Sequence, residues 1–164
     1  MSTGIRSHEP LAEHVGMGQV AIARSPKTLT AVLGSCVGLA LYHPRLKLGG
    51  LAHVVLPLSN GSSAQPPGKY ADTALEFLLR QLGSQGAQAR ELIAKVAGGA
   101  CMFASAGPLQ IGEENVRVTL RLLQAAGIPI STQDLGGTKG RRITFDLSNG
   151  QMIIQSVNQA PLVI

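Results

Sequence analysis

Polar and apolar positions along this chain follow first a two-residue rhythm, then a helical one, then the two-residue rhythm again. Gln19–Ala23 alternates as a short strand does, and Ser25-Pro26-Lys27 breaks it. Thr28–Leu33 has strand-like proportions of Leu, Val and Thr; Gly34-Ser35 interrupts, and Cys36–Tyr42 resumes as an apolar strand. His43-Pro44-Arg45-Leu46 puts proline at the second position of a type I turn, and Lys47–Pro57 follows as another apolar strand. Residues 58–69, rich in Ser, Gly and Pro, read as loop.

From Tyr70 the spacing turns helical. Ala71, Ala74, Leu75, Leu78, Leu79 and Leu82 mark one face of a helix that ends near Gly83. Ala89–Ile93 fits one further helical turn, and Ala94–Ala97 a strand running into Gly98-Gly99. Glu113–Ala126 predicts a second helix, with Val116, Leu120 and Leu123 on one face, acids in its first turn and Gly127 as its stop. Ile128–Leu135, Arg141–Leu147 and Gln151–Val157 read as strands, the last two joined by Ser148-Asn149-Gly150. The order of strands, helix, strand, helix, strands predicts an α+β fold with helices packed on a mixed β-sheet. Residues 1–17 read as a flexible lead-in and residues 18–164 as one domain.

Composition narrows the function classes. The 164 residues are enough to bury a core without disulfide or metal support. The apolar runs are too short to span a bilayer, and the polar N-terminus lacks a signal-peptide core, so the expected location is the cytoplasm. There, Cys36 and Cys101 are expected as thiols rather than a bridge. The four histidines and two cysteines have no metal-binding spacing, so no metal is expected. A net charge of +5 raises the question of nucleic acid, but only Arg141-Arg142 stand adjacent and aromatics are 3% of the chain. A mildly basic surface suited to an acidic partner fits better.

One cysteine stands out by its neighbours. With a loop at 43–46, Tyr42 pairs with Lys47, Ala40 with Gly49 and Gly38 with Leu51, which sets Cys36 opposite His53. Directly opposed residues share a sheet face with Cβ atoms ~4.5–5.5 Å apart. An imidazole at that range can take a thiol proton and create a nucleophile. Thr30, six residues before Cys36, has the parity to accept the other imidazole N–H, and Gly34-Ser35 leave backbone N–H groups near a developing oxyanion. A cysteine or histidine inside an apolar strand is, however, more often simple packing. The residues alone leave both readings open.

The stretch "TLTAVLGSCVGLALYHPRLKLGGLAHVVLP" (28–57) resembles the chemoreceptor glutamine deamidases of the CheD family, with its L-G-S-C-V, its Tyr-x-Pro turn and its G-G-L-A-H. The resemblance continues through "KYADTAL" (69–75), "AKVAGGACMF" (94–103), "IGEENV" (111–116) and "DLGGTKGRRITF" (134–145). It implies a layered α/β sandwich, similar to deamidating toxins, and a cofactor-free cysteine amidohydrolase that converts receptor glutamines to glutamates. It assigns Cys36 as nucleophile, His53 as acid and base, and Thr30 as the residue orienting the imidazole. It also implies methyl-accepting chemoreceptors as substrates, with an adaptor role that binds receptors and a CheC-type phosphatase as the alternative, and the expected state is a monomer. Two residues depart from the family pattern. His43, where an Asp is usual, is expected as an exposed turn residue, and Cys101 as inert packing. In "GGTKGRR" (136–142), Lys139, Arg141 and Arg142 are candidates to meet an acidic receptor bundle.

Overall fold

The computed structural model describes residues 12–62, 66–102 and 110–164. Residues 1–11 of the expected lead-in, residues 63–65 of the expected loop, and Phe103 of the "GGACMF" motif lie outside the described residues. Among the described residues ten strands form two five-stranded mixed sheets. The first has the order β1 (Ala12–His14), β3 (Thr28–Leu33), β8 (Arg141–Asp146), β9 (Met152–Gln155), β10 (Leu162–Val163). The second runs β2 (Val20–Arg24), β5 (Leu48–Val54), β4 (Val37–His43), β6 (Ile93–Gly98), β7 (Ile130–Leu135). Helices α1 (Ala71–Ser84) and α2 (Ile111–Ala125) cover the outer face of the second sheet.

These layers follow from side-chain alternation. Along β4, Val37, Leu39 and Leu41 face the helices and meet Leu78, Leu82 and Leu123, while Ala40 and Tyr42, with Cys36 just before the strand, face the first sheet and meet Leu33, Ile143 and Phe145. With both faces covered, β4 and β5 are buried at every position. The result is a layered sandwich of helices, sheet and sheet, in agreement with the α+β expectation.

Four local expectations change. The lead-in does not extend to residue 17: Ala12–His14 pair in parallel with Thr28–Thr30, and Val15 is buried in the inter-sheet core. The β4–β5 register also differs, with Tyr42 opposite Gly49 and Gly38 opposite His53. The turn comprises residues 44–47, with Lys47 in the left-handed region (φ 49°), which places the last rung at His43↔Leu48.

His43 explains that shift and is itself the third correction, being 3% exposed rather than open to solvent. Its Nδ1 accepts from the Leu46 N–H (3.1 Å), so Nε2 carries the proton and donates to Glu91 Oε2 (2.9 Å). The imidazole thus fastens the hairpin turn to the short 3-10 turn Ala89–Glu91. His43→Ala is expected to cost about 1–3 kcal/mol, because it empties a buried imidazole site and strands the partly buried Leu46 N–H. Urea denaturation measures that cost.

The fourth change is in α2, whose buried stripe is Gly112, Asn115, Val118, Thr119 and Leu123; Val116 and Leu120 are only partly covered.

Candidate active site

The structure brings Cys36 and His53 to the same side of the second sheet. The register shift of two residues preserves parity, so both still face the inter-sheet space, but as diagonal rather than opposed neighbours. The ladder ends at Val37↔Val54, and Cys36 is the residue just before β4. Diagonal neighbours lie ~7–8 Å apart along such a ladder, within reach of a long side chain such as histidine.

The imidazole is held by the backbone. His53 is 3% exposed, and its Nδ1 donates to the Val15 carbonyl at 3.0 Å. That bond fixes the neutral tautomer and leaves Nε2 as the basic nitrogen. Among the described residues Nε2 is buried with no hydrogen-bond partner. A bare, fixed nitrogen of this kind suits proton transfer.

Thr30 does not make the contact expected of its hydroxyl. On β3, Leu29, Ala31 and Leu33 belong to the inter-sheet core, so by alternation Thr30 faces the opposite side. Its carbonyl instead accepts from the Val15 N–H (2.7 Å), and the Val15 carbonyl then holds His53. Thr30 therefore reaches the imidazole through Val15 and the main chain. Val15 was missed by sequence reasoning because one valine in a polar stretch has no periodicity to mark it.

The segment carrying the thiol is tied down through its carbonyls. Gly34 O accepts from the Ala100 N–H (2.9 Å), Ser35 O from Asn115 Nδ2 (3.1 Å), and Cys36 O from the Gly99 N–H (2.9 Å). Among the described residues the N–H groups of Gly34, Ser35 and Cys36 have no such partner. Gly99 (φ 69°) turns away from the strand path and does not return the reciprocal bond to the Cys36 N–H. Fixed carbonyls with unclaimed N–H groups make this segment suited to stabilise an oxyanion.

Burial sets the resting protonation. It pushes the Cys36 thiol up; Cys36 is only 8% exposed. Burial pulls the His53 imidazole down, the bond to Val15 partly opposes this, and His14 adds to it. Both shifts favour the neutral pair, so an attack by this thiol would need its proton to pass to His53 as the attack occurs. Neutral His53 is required, and its pKa is lowered, so the acid limb of kcat/KM is expected below the ordinary imidazole value. The alkaline limb, set by the raised thiol, is expected above the ordinary thiol value. A pH–rate profile flat from roughly pH 6.5 to 8.5 is the expected result. An acid limb above roughly pH 6.5 would contradict the neutral pair.

Arg141 does not serve the outer surface as expected. It is 7% exposed, and its Nη1 donates to the Asp134 carbonyl (2.7 Å) and carboxylate (2.9 Å). Its Nη2 donates to the Gly136 carbonyl, so Arg141 braces the β7–β8 loop, while Lys139 and Arg142 remain exposed.

Among the described residues no helix is long and apolar enough to cross a membrane. The model of the family described as "CheD chemotactic sensory transduction" matches residues 55–156, a stretch that begins after Cys36 and His53. A "Probable chemoreceptor glutamine deamidase CheD" from Methanococcus vannielii is 40% identical over 146 residues, covering 88% of this chain and 95% of that protein. Its namesake from Caldanaerobacter subterraneus is 42% identical over 148 residues, covering 87% and 91%. Among solved structures, the Bacillus licheniformis hypothetical protein YfiH superposes with a TM-score of 0.45 and 18% identity, covering 70% of this chain and 49% of that one.

Proposed function

This chain belongs to the CheD family, and from that membership we propose that it is a chemoreceptor glutamine deamidase with Cys36 as nucleophile and His53 as general base and acid. The observation that carries the assignment is the His53 imidazole, held at Nδ1 by Val15 and bare at Nε2, on the same sheet face as the Cys36 thiol.

The reaction follows from these groups. His53 Nε2 takes the thiol proton as Cys36 Sγ attacks the glutamine carboxamide carbon. The carbonyl oxygen becomes an oxyanion beside the N–H groups of residues 34–36. As the C–N bond breaks, the proton on His53 passes to the departing nitrogen, releasing ammonia and leaving a thioester. Water, deprotonated by His53, attacks the thioester carbon; the proton returns to sulfur, and a glutamate leaves.

Thr30 acts as a positioning residue through its carbonyl. Thr30→Val is therefore expected to lower kcat by about tenfold or less, far less than loss of His53 itself. Steady-state kinetics of the two variants compares them directly.

In this reading the protein works in the cytoplasm as a monomer on the helical bundle of methyl-accepting receptors, with a CheC-type phosphatase as a second partner. The direct test is intact-peptide mass spectrometry of a receptor cytoplasmic fragment incubated with the protein. Glutamine-to-glutamate conversion is expected. A fragment that binds and stays unconverted would give the protein an adaptor role instead.

A further inference from the structure

The β4–β5 ladder stops one rung short of the nucleophile. After Val37↔Val54 the next hydrogen-bonding rung between these strands would join Ser35 and Leu56, but the Leu56 N–H turns, with that of Val55, to the Lys69 carbonyl (2.9 and 3.1 Å). That leaves the Ser35 carbonyl without its partner on β5, while the Cys36 carbonyl points the other way, to the Gly99 N–H beyond β6. The two strands part at the point where the thiol and imidazole must be kept in register.

One side chain bridges the parted ends. Asn115 on α2 is fully buried, and its Nδ2 donates to the Ser35 carbonyl at 3.1 Å and to the Val55 carbonyl at 2.9 Å. Two carbonyl acceptors can be satisfied only by the NH₂ end of the amide, which fixes its orientation. Ser35 directly precedes Cys36, and Val55 lies two residues after His53. The helix comes close enough because residue 112 is glycine: a Cβ there would lie 2.4 Å from the Ala100 carbonyl and 2.7 Å from the Gly99 carbonyl. The other end of the amide, Oδ1, has no partner among the described residues. Burial of an amide with half its capacity unused is costly, and the two donated bonds offset that cost.

We propose that Asn115 is a positioning residue whose amide replaces the missing rung and sets the distance between Cys36 and His53. This rests on the deamidase reading for its effect on turnover, but the clamp itself can be tested without a receptor.

The variants are Asn115→Asp, which keeps the shape but can donate to at most one of the two carbonyls, and only when protonated, and Asn115→Leu, which keeps the volume and loses all polarity. Thr119→Val, one turn along the same buried face, is the comparison. Two quantities are read: kcat and KM on a receptor fragment, and the iodoacetamide alkylation rate of Cys36 over roughly pH 5 to 10. Peptide mapping separates Cys36 from Cys101. Both Asn115 variants are expected to lose about 10- to 100-fold in kcat with KM within about threefold. Their Cys36 alkylation profile is expected to move to that of His53→Ala, while Thr119→Val keeps the wild-type profile.

An unchanged alkylation profile in both Asn115 variants overturns the proposal, even if kcat falls, because a merely structural loss would not uncouple thiol from imidazole. If wild type fails to deamidate the fragment, the functional reading fails and the alkylation profiles still decide the clamp. Should both variants fail to fold, NMR of the wild-type Asn115 amide decides it. Two slowly exchanging protons with couplings to the Ser35 and Val55 carbonyls are expected; solvent-like exchange of either overturns it.

Discussion

Cys36→Ala is expected to fold and to abolish conversion of receptor glutamines, with turnover reduced by about 10⁴-fold or more. Removing one sulfur from a buried but small side chain costs about 1 kcal/mol or less, so the loss is chemical rather than structural. His53→Ala is expected to be nearly as severe, since the thiol has no second base on its sheet face among the described residues. The double variant should be no worse than Cys36→Ala alone, because residues acting as one unit are not additive. Mass spectrometry of a treated receptor fragment reads all three. Residual conversion by Cys36→Ala at wild-type rates would remove Cys36 from the mechanism and direct attention to Cys101.

Gly98→Ala is expected to be far more damaging than Gly127→Ala, although both glycines have positive φ. Gly98 has φ 107°, and a Cβ there would lie 2.3 Å from the Cys36 carbonyl oxygen and 3.2 Å from Leu33 Cδ1. The first obstacle is backbone and cannot rotate away. Relief would require moving the Cys36 carbonyl, which would break its bond from the Gly99 N–H. A loss of more than about 3 kcal/mol in stability is expected, with activity falling beyond what the residual unfolding explains. Gly127→Ala gives the scale: φ is 71° but nothing lies within 4 Å, so about 1 kcal/mol for the backbone alone is expected. Equilibrium denaturation of the two variants should separate the clash from the φ cost; equal losses would show that the contact at Gly98 is harmless.

The parts of the fold that sequence reveals are those with a rhythm. Alternation marked β2, strand-like composition β3 and an unbroken apolar run β4, and the spacing of Ala71, Leu75, Leu78 and Leu82 marked α1 within a residue of its observed ends. Cys36 and His53 were recognisable as face-mates because a two-residue slip does not change which side a side chain takes. Their exact rung was not readable, since nothing local announces a left-handed Lys47 or a buried His43. Arg141 looked like surface because it is charged; burial with a carboxylate and carbonyls around it depends on a loop that folds back. Asn115 was hidden for the same reason. A polar residue on the buried stripe of a helix breaks the apolar pattern, and only Gly112, Thr119 and Leu123 at helical spacing hinted that this face was the inner one.

The three ties on the thiol segment come from distant parts of the chain, and this has a consequence for synthesis. The hairpin bearing Cys36 and His53 leaves the ribosome early, whereas Asn115 follows Ser35 by 80 residues and the Gly99-Ala100 donors come from β6 and its exit. A growing chain thus carries its thiol and imidazole long before the groups that align them exist. If those ties align the pair as proposed, deamidation is expected to begin only when the later half of the chain has docked.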